Sequence, residues 1–60
     1  MTPSDAEQIL VQDGWIRVSI RGSHAHYKHP VKKGKVTIPF HSGDLTKGTF
    51  NSILKQAGLK

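Results

Sequence analysis

Ten consecutive residues, Arg21-Gly22-Ser23-His24-Ala25-His26-Tyr27-Lys28-His29-Pro30, hold three of the four histidines of this chain beside an arginine and a lysine. Imidazole is the side chain that ordinarily titrates nearest neutral pH, so it can take or give a proton there. Arginine and lysine next to it are the groups that hold phosphate. A histidine set among cations on a small basic chain points to chemistry on a nucleic-acid backbone.

Gly22-Ser23 reads as a two-residue hairpin loop of the type with glycine first. That loop would set Arg21 opposite His24, Ser19 opposite His26 and Arg17 opposite Lys28, with Ile20 facing Ala25 and Val18 facing Tyr27. Every pair matches in character, polar with polar and apolar with apolar. One face then carries Arg17, Ser19, Arg21, His24, His26 and Lys28. Arg17 against Lys28 is a like-charge pair, which a phosphate-binding face would explain.

His24 starts its strand beside the glycine turn, where backbone crowding is least. Arg21 across from it disfavours the imidazolium and so favours the neutral ring of a general base. Such a base can take the proton of a ribose 2′-hydroxyl, whose oxygen then attacks the adjacent phosphorus while arginine or lysine steadies the charge. DNA lacks that hydroxyl, so the route is specific to RNA. The plainer reading of His24 is a solvated strand histidine. His26 shares its face; His29 falls on the apolar side near the strand end, where packing is expected. His24-x-His26 with His41 as a third ligand is a further reading, weakened by the lack of nearby carboxylates or thiols. Tyr27 and Trp15 could stack on bases, but their positions suit a core. No nucleophile elbow, P-loop, dinucleotide fingerprint or cysteine supports another reaction class.

The elements that must position these residues follow from periodicity. Residues 3–13 read as a helix, with Thr2 as cap, Pro3 in the first position and Ala6, Ile9 and Leu10 as its apolar stripe. Gly14 stops it, and Trp15 can fold back onto Leu10. A second helix starts after a Thr46 cap, with Leu45 stapled to Phe50 and Phe50, Ile53, Leu54 and Ala57 on one face. Gly58 ends it. Between the helices, Ile16, Val18 and Ile20 alternate with polar residues, Ala25 and Tyr27 continue the apolar side of a second strand, and Val36, Ile38 and Phe40 mark a third. Pro39 argues for an edge position. A four-residue turn, Val31 to Gly34, would pair Tyr27 with Ile38 and Ala25 with Phe40, and place His24 across from His41. His41-Ser42-Gly43-Asp44 is the loop to the last helix. The order is α-β-β-β-α, an α+β fold with a three-stranded antiparallel sheet and both helices on one face.

The chain has 60 residues, so residues 1–60 are read as one domain with a thin core. Nine Lys+Arg against four Asp+Glu give a net charge of +5, and from Gly14 onward the only acid is Asp44. That asymmetry points to a polyanion partner, nucleic acid first and an acidic protein second. Without cysteine there is no disulfide and no thiolate zinc site. Without an apolar run of about 20 residues, no membrane association is expected, and a cytoplasmic location is.

Gly14-Trp15, Arg21-Gly22-Ser23-His24, Tyr27 to Pro30, Pro39-x-His41, Gly48-Thr49 through Ile53 and Gln56-Ala57-Gly58 together resemble the HicA toxins. The resemblance runs over nearly the whole chain; each piece is weak alone, but their order and spacing are specific. It implies a double-stranded-RNA-binding-domain-like fold, activity as an mRNA interferase and neutralisation by a HicB-type antitoxin protein. The family's catalytic histidine, which follows Gly-Ser, maps onto His24, and Gly22 and Ser23 match its turn. The expected function is thus a metal-independent, cofactor-free endoribonuclease toxin acting on mRNA. His24 is its general base, and Arg17, Arg21, His26, Lys28 and His41 are its RNA contacts. The alternative is an RNA-binding module of the same fold that does not cleave.

Overall fold

Thr2 begins the first helix as expected. In the computed structural model, which describes residues 1–41 and 43–60, helix α1 spans Pro3–Gln12. The Thr2 hydroxyl accepts the Asp5 N–H at 3.1 Å, and the Asp5 carboxylate accepts the Thr2 N–H at 3.0 Å. Each group satisfies an amide that the helix leaves without a partner. Gly14, at φ +101°, turns the chain out of the helix, and the Trp15 N–H donates back to the Leu10 carbonyl at 2.9 Å. Helix α2 spans Lys47–Gln56; its Thr46 cap accepts the Thr49 N–H, and the Leu59 N–H closes it on the Leu54 carbonyl.

Strands β1 (Ile16–Arg21), β2 (His24–Lys28) and β3 (Val36–Pro39) form one antiparallel sheet in that spatial order. β3 lies at an edge, which accommodates Pro39. Ala6 and Leu10 of α1, Ala25 and Tyr27 of β2, Val36 and Ile38 of β3, Ile53 of α2, and Trp15 and Ala57 make the buried cluster. Phe40, Leu45 and Phe50 pack against it. Ser42, within the loop expected over 41–44, lies outside the described residues.

β1 departs from expectation. It contributes nothing to the core, and Ile16, Val18 and Ile20 are each more than half exposed. The first hairpin keeps Arg21 opposite His24, Ile20 opposite Ala25 and Ser19 opposite His26, but then bulges. Beyond the bulge Arg17 faces Tyr27 and Ile16 faces Lys28, replacing the expected Arg17–Lys28 and Val18–Tyr27 pairs. An extra residue in one strand reverses which side chains face the helices. The physical gain lies in charge: Arg17 leaves a like-charged neighbour and reaches the Glu7 carboxylate of α1.

The second register also shifts. Tyr27 pairs with Val36, Ala25 with Ile38 and His24 with Pro39, two residues from the expected partners. Each β2 residue thus meets a partner two residues earlier in the chain, and His29 organises the start of the connection between Lys28 and Val36. One ring nitrogen, Nδ1, accepts the N–H groups of both Val31 and Lys32 at 3.0 Å.

Candidate active site

The hairpin tip is built by a backbone demand. Gly22 sits at φ +57° while Ser23 has a negative φ, the glycine-first turn read from the sequence. The Phe40 N–H donates to the Ser23 carbonyl at 2.6 Å, tying the end of the third strand to this turn. That tie carries His41 to the tip. The His24 and His41 rings meet edge to face, with centroids 5.6 Å apart and planes at 84°. Ser23 Oγ lies 3.3 Å from His41 Nδ1. His24 and His41 are therefore neighbours as expected, although Pro39, not His41, is the strand partner.

His24 is exposed, and so is Arg21 opposite it. Further along the same face, His26 is half-buried with Nδ1 3.1 Å from Thr37 Oγ1, which fixes its ring. Lys28 follows two residues later. Between the strands lies an open basin of about 450 Å³ lined by Val18, Ser19, Arg21, His26, Lys28 and Lys35. Its cations come from both strands of the first hairpin and from the connection leading to β3. Strand alternation puts Val18 on the apolar side opposite Tyr27, where the structure instead pairs Arg17, and says nothing of Lys35. Lys35 sits in that irregular connection, where no strand pattern assigns it a face, and the bulge exposes Val18.

Arg17, expected on this face, is on the other side. Its Nε donates to Glu7 Oε2 at 3.0 Å, and a terminal guanidinium nitrogen pairs with the same oxygen. Its guanidinium carbon lies 5.4 Å from the centre of the Phe40 ring. The Tyr27 hydroxyl also donates to Glu7 Oε2. Burial pushes the Glu7 carboxyl upward, but the hydrogen bonds from Tyr27 and Arg17 outweigh it and hold the group below its ordinary range. Burial, then the bond to Glu7, pushes the Tyr27 phenol up to about 12.

His29 packs, as its side of the strand suggests. With Nδ1 accepting two N–H groups, its proton must be on Nε2, which donates to the Asp13 carbonyl at 2.7 Å. Its ring meets Trp15 edge to face at 5.2 Å. Lys32 Nζ donates to the Asp13 carboxylate at 2.5 Å and to the Ala57 carbonyl at 3.0 Å, and Trp15 Nε1 donates to the same carboxylate. The hydrogen bond from Lys32, opposed by desolvation and aided by the Lys32 charge, lowers the Asp13 pKa. Glu7 and Asp13 are thus both engaged on structural partners. Among the described residues, no three His, Asp, Glu or Cys side chains gather where they could share a metal ion.

Two helices behind a three-stranded sheet, with a histidine pair at a hairpin tip and cations along the open face, define a small basic α+β domain with a solvent-facing cationic surface. The family model described as HicA toxin of bacterial toxin-antitoxin matches residues 3–59, and the chain belongs to the HicA toxin family. A chain of a solved toxin–antitoxin complex from Streptococcus pneumoniae is similar at 35% identity and a TM-score of 0.83, with 98% of each chain covered. No curated protein matches.

Proposed function

We propose that this chain is a metal-independent endoribonuclease toxin that cleaves mRNA through His24. The observation that carries this reading is the tip itself: an exposed imidazole against a second histidine, with Arg21 across the strand pair. His24 takes the proton of a ribose 2′-hydroxyl as the O2′–P bond forms. The P–O5′ bond breaks, and His41 or a water gives the leaving oxygen its proton. Arg21, His26 and Lys28 face the same side and hold the RNA backbone beside the cleaved bond.

The RNA itself supplies the nucleophile, which its 2′-hydroxyl already presents beside phosphorus. Glu7 and Asp13 are held by Arg17, Tyr27 and Lys32, so neither stands ready to recruit magnesium to the open face. Arg17 belongs to that structural set and not to the RNA contacts. An antitoxin that is acidic where it meets this chain covers the open face and silences His24 by occupying it. The charge of +5 favours fast association with such a partner. The site of action is the cytoplasm, where mRNA and antitoxin meet.

Expression of wild type and His24→Ala side by side, with growth and RNA integrity scored, tests the reading. Growth arrest and broken RNA from wild type alone support it. Binding without cleavage by wild type, with or without EDTA, would leave an RNA-binding module instead.

A further inference from the structure

The basin beside His26 is not needed for the proton transfers at the tip, yet it is the more built part of the open face. Arg21 reaches it from β1, Lys28 from the end of β2 and Lys35 from the connection before β3. No carboxylate lines it. Converging cations without a paired acid repel one another, a cost that an anion seated between them removes. At about 450 Å³ the space exceeds what a bare phosphate would fill and falls in the range of small-molecule sites.

One wall is apolar. The bulge between Arg17 and Ser19 leaves Val18 on the open face, 54% exposed and beside the cations. An exposed β-branched residue among lysines serves no packing purpose in the free chain. It offers a surface for a sugar or base while the cations take the phosphate. His26, held by Thr37, stands two residues along β2 from His24, a separation of about 7 Å. That distance is on the scale of one nucleotide step.

We infer that this basin seats one nucleotide flanking the cleaved bond, with Arg21, Lys28 and Lys35 on its phosphate and Val18 against its sugar or base. The inference rests on the proposed action on RNA and extends it from the reacting bond to the neighbouring unit. Lys35 thereby becomes a substrate-positioning residue.

The test is fluorescence anisotropy of a labelled ten-nucleotide RNA on the His24→Ala protein, so that no cleavage enters the reading. Lys35→Ala is compared with Lys33→Ala, an equal charge change at an exposed turn lysine outside the basin. Lys35→Ala should weaken binding about fivefold to tenfold and reduce the salt slope by about 1. Lys33→Ala should stay within about twofold, since only distant charge is lost. Val18→Ser should weaken binding while leaving the salt slope unchanged, because it removes no charge. Equal effects of the two lysine variants would overturn the subsite, even where wild type cleaves RNA. The expected difference with a wild type that cuts nothing would support the subsite and remove the proposed catalysis instead.

Discussion

His24 opens strand β2 and His29 follows its end, and the two rings meet opposite conditions. His29 is half-buried with both nitrogens bonded to backbone, its proton fixed on Nε2 and its ring in a T-shaped contact with Trp15. His24 is exposed at the hairpin tip, and its one described aromatic neighbour is His41. The same contrast runs along β1. Arg17 is held by Glu7 on the helix side, while Arg21, four residues on, lines the open basin. A side chain whose hydrogen-bonding capacity the fold has consumed stabilises the fold. One left unconsumed and facing solvent is available to a substrate.

Replacing the two histidines separately should give opposite results. His24→Ala should lower RNA cleavage by roughly 10²- to 10⁴-fold, the usual contribution of a positioned acid or base. Its stability in urea should stay within about 0.5 kcal/mol of wild type, as for exposed positions. His29→Ala should instead cost about 1–3 kcal/mol, because the Asp13 carbonyl and the Val31 and Lys32 amides lose their partner. Cleavage per folded molecule should persist. A His29→Ala protein that is stable but inactive would erase the distinction.

Gly14 sharpens the structural side. At φ +101° any side chain is strained, and a Cβ built there would lie 2.8 Å from His29 Nε2. Gly14→Ala should therefore cost about 1–3 kcal/mol, read from the shift of its urea midpoint. Gly22→Ala meets open space, so only backbone strain opposes it and the loss should be smaller.

The Glu7 set predicts how stability follows pH. Glu7 and Asp13 are lowered in the folded chain, so their contribution is full above the ordinary carboxylate range and is lost as pH falls through their folded values. Tyr27 is raised from 10.0 to about 12, so its contribution holds below about 10 and is lost as pH rises toward 12. Thermal melts across pH should show both limbs, and Glu7→Gln should flatten the acid one. An acid limb unchanged in Glu7→Gln would place the acid sensitivity elsewhere.

The smallest effect separates the two arginines. Arg21→Ala should weaken RNA binding modestly and reduce its salt slope by about 1, whereas Arg17→Ala should leave that slope unchanged. Equal slopes would mean that RNA also reaches the helix side.

Helix starts and stops, the glycine-first turn and the His24 position were legible because each is local chemistry: a hydroxyl cap, a left-handed glycine, a period of two. The bulge was not, since it depends on Glu7 waiting ten residues upstream of Arg17. Nor was the β2–β3 register, which depends on a histidine side chain organising the backbone that follows it. A long-range ion pair and a side chain that caps a loop leave no periodic trace. For the same reason strand alternation alone sets Arg17 on the open face and gives Lys35 no face. The His24–His41 pairing survived its wrong register because the Phe40–Ser23 hydrogen bond brings the third strand's exit to the tip by another route.

The proposed cleavage makes the RNA's own 2′-hydroxyl the nucleophile that His24 activates, and the ends of the cut strands report on it directly. Wild-type protein should leave a 2′,3′-cyclic phosphate, or the 3′-phosphate from its hydrolysis, and a 5′-hydroxyl. A substrate with 2′-deoxyribose at the cleaved nucleotide should bind nearly as well and remain intact. Efficient cutting of that substrate, or 5′-phosphate ends, would show that water attacks phosphorus and would contradict the mechanism.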